Sequence, residues 1–173
     1  MKKTIAALIF VVVTAAAFAQ MPTTAQEFLT RGRCNLENGD LDNAIADCTQ
    51  AISLDSNYAE AYLCRGAAYI DKGDLDMAIA DCTQAIRLNP NFADAYFGRG
   101  AAYFAKCDLD MAIADCTQAI SLNPNFVDAY FGRGLAYEDK GDYEKAIADF
   151  ESALRIDPND AGAKRRLEEL KSR

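Results

Sequence analysis

The 173-residue sequence contains no histidine and no tryptophan. Histidine is the side chain that most often acts as a general base or binds a metal, so its absence argues against many hydrolytic and metal-dependent active sites. The sequence also has no glycine-rich phosphate loop and no closely spaced cysteine pair of the kind that binds zinc. These absences predict a protein that is not an enzyme and has no catalytic residues, metal site or cofactor.

Basic side chains are scarce. The chain has 18 lysines and arginines against 26 aspartates and glutamates, which gives a formal net charge of −8. Such a chain is repelled by phosphate backbones and by anionic lipid surfaces. We therefore expect no nucleic-acid partner, and the hydrophobic content of 51% indicates a folded chain rather than a disordered one.

The one long apolar run lies at the N-terminus, at residues 5–18. It follows Lys2-Lys3, ends in Ala17-Phe18-Ala19, and is shorter than the roughly 20 residues of a membrane-spanning helix. This pattern resembles a Sec-type signal peptide over residues 1–19, cleaved before Gln20, with an uncleaved anchor as the alternative. The expected protein is exported, either periplasmic or secreted, with no membrane insertion after cleavage.

The rest of the chain repeats itself. The segment DMAIADCTQAI occurs at residues 76–86 and again at 110–120, and DNAIADCTQAI occurs at 42–52, at intervals of 34 residues. After a short lead at residues 20–24, this period divides the chain into four units: 25–58, 59–92, 93–126 and 127–160.

Each unit carries two helical patterns. In the second unit Tyr62, Gly66 and Tyr69 are spaced four and three residues apart, which places them on one helical face. The same spacing recurs at Ala78, Cys82 and Ala85. Gly73 lies between the two patterns and suits the end of a helix. The unit is therefore predicted to be a helix-turn-helix.

This pattern resembles the tetratricopeptide repeat. The positions that define the family are occupied in the third unit by Tyr96, Gly100, Tyr103, Ala112, Cys116, Ala119 and Pro124. The resemblance implies an all-α fold, a right-handed superhelical solenoid of helix-turn-helix repeats. Residues 161–173 continue the phase and are expected to form a capping helix and tail, with a polar outer face at Lys164, Arg165, Arg166, Glu168 and Glu169.

The resemblance also implies a function, because the first helices of such repeats line a concave surface that binds partner proteins. The residues at the fifth position of the four units are Leu29, Leu63, Phe97 and Phe131. The ninth positions include Ala67, Ala101 and Leu135, and the twelfth positions include Ile70 and Phe104. The acidic residues beside them are Glu60, Asp94 and Asp128. We expect a non-catalytic scaffold that binds an apolar protein or peptide segment of basic character. Self-association is one alternative, and an enzyme or thiol-redox protein using its cysteines is another.

The phenylalanines of the fifth place are expected to point away from the helix-pair core. Replacing both Phe97 and Phe131 with alanine should then remove partner binding and leave the fold intact.

The six cysteines fall into two groups. Cys48, Cys82 and Cys116 recur at one place of the repeat, and we expect them to be small buried hydrophobic residues. Successive repeats hold them too far apart for disulfides among themselves. For a disulfide, Cys34 with Cys64 is the only pair that we consider.

An arginine and an aspartate recur at fixed places in every unit. Arginines at 31, 65, 99 and 133 match aspartates at 47, 81, 115 and 149, and we expect each arginine to pair with the aspartate of its own unit. A row of arginines that binds carboxylates is the alternative.

Glycine closes the first helix of three units, but the third has Cys107 there, and we expect a left-handed backbone at Cys107.

Overall fold

The computed structural model describes residues 22–172, so the predicted signal peptide lies outside the described residues. Within this range the chain forms nine α-helices and no strand. They are α1 Ala25–Glu37, α2 Leu41–Leu54, α3 Ala59–Lys72, α4 Leu75–Leu88, α5 Ala93–Ala105, α6 Leu109–Leu122, α7 Val127–Asp139, α8 Tyr143–Ile156 and α9 Ala161–Lys171.

The helices pack in the order in which they occur along the chain. Each helix from α1 to α8 packs against the next one, and α1, α3, α5 and α7 also contact one another in succession. Such packing is typical of a repeat array, in which each unit buries its apolar face against its neighbours. The prediction of an all-α helix-turn-helix solenoid is therefore confirmed.

Small side chains form most of the core. The second helix of each pair, α2, α4, α6 and α8, buries two alanines, one aspartate and one larger apolar residue. The larger residues are Cys48, Cys82 and Cys116, at most 3% exposed, and Phe150, which is fully buried. The prediction that these three cysteines are buried hydrophobic residues is confirmed, and the alanines let neighbouring helices lie close together.

The turn within each helix pair contains a residue with a left-handed backbone. Gly39, Gly73 and Gly141 have φ of +76°, +85° and +80°. Cys107 occupies the same place in the third pair and has φ of 62°. This confirms the expected backbone of Cys107, which carries a Cβ where the other units have none.

Replacing Cys107 with glycine is expected to raise the free energy of unfolding by about 1 kcal/mol, because a side chain is disfavoured in the left-handed region. Thermal denaturation followed by circular dichroism measures the change. Gly73→Ala is the matched control and should have the opposite sign, since its new Cβ meets no atom within 4 Å and adds only backbone strain. A lower melting temperature for Cys107→Gly would contradict the prediction and indicate that the thiol makes a stabilising contact.

Helix α9 covers the C-terminal end of the array. The Asp160 carboxylate accepts hydrogen bonds from the backbone N–H groups of Gly162, at 2.8 Å, and Ala163, at 3.1 Å, and so caps the helix. Ala163 and Leu170 pack into a cluster with Phe150. The exposed residues of α9 include Lys164, Arg165, Glu168 and Glu169. The helix therefore buries one face and presents a polar face to solvent, as a capping helix does.

Candidate functional site

The first helix of each pair carries the residues that the sequence places in a groove. On α3 these are Leu63, Ala67 and Ile70; on α5, Phe97, Ala101 and Phe104; on α7, Phe131 and Leu135; all are half-buried. The acidic side chains of Glu60, Asp94 and Asp128 are exposed at the starts of the same helices. The structure thus leaves a partly accessible apolar surface across three helices, with carboxylates at one end.

A pocket of about 250 Å³ lies between α5 and α7. Its lining residues are Phe97, Gly100, Ala101, Phe104, Ala112, Cys116, Asp128, Phe131, Gly132 and Leu135. Six of the residues predicted from the sequence meet here: Phe97, Ala101, Phe104, Asp128, Phe131 and Leu135. The predicted residues Ala67 and Ile70 lie on α3, outside this pocket. Sequence reasoning missed the contribution of α6, because Ala112 and Cys116 were assigned to the core alone.

The sixth residue of the third and fourth units is a glycine. Because glycine has no side chain, an apolar side chain of the preceding unit packs directly against the helix that carries it. A Cβ added at Gly98 would lie 3.2 Å from Leu63 Cδ1, and one added at Gly132 would lie 3.3 Å from Phe97 Cε2. Both distances are tighter than ordinary packing allows. Leu63 therefore rests on α5 and Phe97 rests on α7, which makes the apolar surface continuous from one helix to the next.

Leu29 is not part of this surface. The sixth place of the second unit is Cys64 instead of glycine, and Leu29 is packed with Cys48 and Cys64 at 1% exposure. The prediction that Leu29 lines the partner-binding groove is wrong. The physical reason is that Cys64 on α3 is larger than glycine and encloses the leucine, so that Leu29 has no accessible surface for a partner.

Phe131 belongs both to the pocket and to the core. Its ring centroid lies 5.6 Å from that of Phe150, at an interplanar angle of 49°, and the residue packs against the C-terminal core cluster. The expectation that Phe131 points away from the core is therefore wrong. The fourth unit has Phe150 where the other units have a cysteine, and the larger ring packs against Phe131.

The groove ends in an ion pair next to α9. Glu138 occupies the place that Phe104 holds in the preceding unit, and its side chain is only 11% exposed. Arg166 of α9 lies 3.7 Å from its carboxylate. The sequence placed Arg166 on the polar outer face, but the structure turns it toward Glu138, because a carboxylate with so little exposure needs a positive partner.

Comparison with known proteins decides the family. The model of the tetratricopeptide repeat matches residues 93–126 and 127–160, and a TPR repeat model matches residues 32–73 and 66–106. The chain belongs to the tetratricopeptide-repeat family. No curated protein sequence matches it.

Three solved structures illustrate how similar this tetratricopeptide-repeat chain is to its relatives. MamA is 30% identical over 88% of this chain and 83% of its own, with a TM-score of 0.74. The first TPR domain of Spaghetti (RPAP3), solved with the HSP90 peptide SRMEEVD, is 30% identical over 68% of this chain and 94% of its own, with a TM-score of 0.66. TTC0263, a protein of Thermus thermophilus, is 22% identical over 92% and 87%, with a TM-score of 0.79, and shares the fold.

An ion pair between an arginine and a buried aspartate joins the two helices of each tetratricopeptide repeat. Arg99 donates from Nε to Asp115 Oδ2 and from a terminal nitrogen to Oδ1, both at 2.8 Å. Its guanidinium lies 5.7 Å from the centroid of the Tyr96 ring. The hydrogen bonds to Asp115 hold the pKa of Arg99 above its ordinary value.

The same pairing joins Arg31 to Asp47, Arg65 to Asp81 and Arg133 to Asp149. The prediction that each arginine pairs within its own repeat is confirmed. Because their donors are directed at buried carboxylates, these arginines do not form a row that could receive the carboxylates of a partner.

The repeated thiols are poor nucleophiles. Burial raises the pKa of Cys82 to about 12 and that of Cys116 to about 12, so both are protonated at neutral pH. Over residues 22–172 no group of acidic and cysteine side chains is placed to hold a metal ion. In the same stretch, no helix has the length and apolar character needed to cross a bilayer.

Proposed function

We propose that this tetratricopeptide-repeat chain is a non-catalytic scaffold that binds a protein segment along the groove formed by α3, α5 and α7. The observation that carries this proposal is the pocket between α5 and α7, where Phe97, Phe104 and Phe131 surround about 250 Å³. Half-buried aromatic rings around a concave space are well suited to receive an apolar anchor side chain. The relative Spaghetti (RPAP3) binds a peptide with its own TPR domain, which supports the assignment.

The charge of the groove favours a segment that is apolar and basic. Asp128 lines the pocket, and Glu60 and Asp94 are exposed at the equivalent places of the two preceding repeats. These carboxylates attract lysine or arginine and repel acidic residues. The peptide SRMEEVD of the Spaghetti complex carries three acidic side chains, so we expect this chain to select a different class of segment.

Filling the pocket is expected to weaken binding. In Ala101→Phe a ring enters the space that the anchor side chain would occupy, because Ala101 lines the pocket. Peptides selected from a random displayed library should be rich in apolar and basic residues. Their affinity for Ala101→Phe should fall at least about tenfold, which corresponds to about 1.4 kcal/mol. Fluorescence anisotropy with the selected peptides measures the loss.

Met111→Phe is the matched control, since Met111 is 41% exposed on α6 and is not among the residues that line the pocket. It introduces the same side chain and should bind the peptides as the parent does. Equal affinities for the parent and Ala101→Phe would show that the pocket is not the binding site. If the chain selects no peptide but forms a dimer that Ala101→Phe dissociates, the groove binds a second copy and the proposal is wrong.

We further propose that the scaffold works in the cell envelope or outside the cell. The support is the signal-peptide pattern of residues 1–19, with Ala17-Phe18-Ala19 before Gln20. Mass spectrometry of the protein from its source cells should find Gln20 as the first residue. A folded protein in the envelope that retains Met1 would overturn this part.

A further inference from the structure

Two cysteines meet at the junction between the first and second repeats. Cys48 lies on α2 and is fully buried, and Cys64 lies on α3 and is 5% exposed. Both belong to the core cluster that contains Leu29. From the sequence we considered Cys34 as the partner of Cys64. In the structure, however, Cys34 is exposed and accepts a hydrogen bond from Asn38 at 3.5 Å. The structure therefore gives Cys64 a different neighbour from the one considered.

The later repeats give an independent measure of this geometry. Cys82 occupies the place of Cys48 one repeat on, and Gly98 occupies the place of Cys64. A Cβ built at Gly98 lies 3.3 Å from Cys82 Sγ, and one built at Gly132 lies 3.7 Å from Cys116 Sγ. In a disulfide each Cβ lies about 3 Å from the far sulfur, given an S–S bond of about 2.05 Å. A Cβ at the sixth position of a unit thus lies close to the distance that a disulfide requires from the sulfur of the preceding unit. Only the first junction has a cysteine on both sides.

Adjacent side chains show that α2 and α3 are held close at this level. Arg65, next to Cys64, donates a hydrogen bond at 2.9 Å to the hydroxyl of Thr49, next to Cys48. Arg99 and Thr83 make the same contact at 3.2 Å, and Arg133 and Thr117 at 3.0 Å. The spacing of the helices is therefore a property of the repeat.

We propose that Cys48 and Cys64 form a disulfide that joins the first repeat to the second. The oxidant is a small disulfide such as oxidised glutathione. The Cys64 thiolate attacks one sulfur of that disulfide, releases one small thiol and leaves a mixed disulfide. Cys48, after losing its proton, attacks the Cys64 sulfur and releases the second small thiol. The protein loses two protons and two electrons, and the oxidant takes them up as two thiols.

The local electrostatics agree with this order of events. The neighbouring Cys48 thiol lowers the pKa of the Cys64 thiol, and the charge of Arg33 adds to the effect. The neighbouring Cys64 thiol and burial raise the pKa of Cys48. Cys64 is also the more accessible of the two, at 5% exposure against 0% for Cys48, so it is the first nucleophile. Since both sulfurs are buried, exchange takes place as the chain folds or when the terminal repeat opens locally.

The test is to refold the full chain in a mixture of reduced and oxidised glutathione, block free thiols by alkylation and map the peptides without reduction. The expected result is a peptide of Cys48 linked to a peptide of Cys64. Cys34, Cys82, Cys107 and Cys116 should carry the alkyl group. The oxidised parent should also melt several degrees above the same protein after reduction, because the crosslink restricts the unfolded chain.

Variants provide the matched comparison. Cys64→Ala should show no crosslink and no change of melting temperature between oxidising and reducing buffers. Gly98→Cys places a second thiol opposite Cys82 and should gain a second crosslink there. The proposal is overturned if Cys48 and Cys64 of the folded, oxidised parent are both alkylated, if Cys64 retains glutathione without a crosslink, or if Cys64 is linked to Cys34.

Discussion

Replacing Asp115 with alanine is expected to lower the free energy of unfolding by about 3–5 kcal/mol, the usual cost of removing one partner of a buried ion pair. Arg99 would keep its position between α5 and α6, where its side chain is only 18% exposed, but would lose both carboxylate hydrogen bonds. The loss should spread to the preceding repeat, because Arg99 also donates to Thr83 at 3.2 Å. Urea denaturation followed by circular dichroism measures the change.

Asp110→Ala is the control for removal of an aspartate from the same helix. Its side chain is 82% exposed and pairs with Lys140 at the surface, so its loss should change stability far less. A second variant, Arg99→Leu with Asp115→Ala, should be more stable than Asp115→Ala alone, because no unpaired charge is left behind. Equal stability of Asp115→Ala and Asp110→Ala would show that the buried pair contributes no more than a surface one.

The helix-turn-helix array and its ion pairs could be predicted because their signals recur in every unit. Each arginine precedes its aspartate by the same number of residues, and a repeated pair of opposite charges is explained by one contact made four times. The left-handed backbone at Cys107 followed from the same logic, since Gly39, Gly73 and Gly141 mark the place. Repetition thus made local geometry readable from the sequence.

Contacts between units were harder to predict. Leu29 and Phe97 occupy the same place in their repeats, yet one is enclosed and the other lines a pocket. The difference comes from the residue 35 positions later, which is Cys64 in one case and Gly132 in the other. The repeat pattern describes a unit by its own residues, so it does not show how much space the next unit leaves.

For the same reason, the contact between Cys48 and Cys64 was not predicted from the sequence. Sequence reasoning compared cysteines at equivalent places and found them too far apart, but these two lie at different places on either side of a junction. Their separation of 16 residues equals that of each Arg–Asp pair, because both separations lead from one helix to the next. A search for thiols at that separation would have found them.

The last prediction concerns Phe150, which is among the bulkiest fully buried side chains of residues 22–172. Phe150→Ala is expected to lower the free energy of unfolding by about 3–5 kcal/mol. The substitution would leave a cavity that the neighbouring residues are too small to fill. Gly134 has no side chain, and a Cβ added there would lie 2.7 Å from the Phe150 ring. The buried neighbours Ala146, Ala153 and Ala163 are equally small. Urea denaturation again measures the loss.

Cys116→Ala is the matched control, because it empties the same place one repeat earlier. It removes one sulfur atom and should cost only about 1 kcal/mol, as small core deletions do. Phe150→Ala should also weaken peptide binding under conditions where the chain stays folded, since Phe131 would lose the ring that lies 5.6 Å away and supports the pocket. Equal losses of stability in the two variants would contradict the larger role given to Phe150. Unchanged peptide affinity in folded Phe150→Ala would show that the pocket does not depend on the core beneath it.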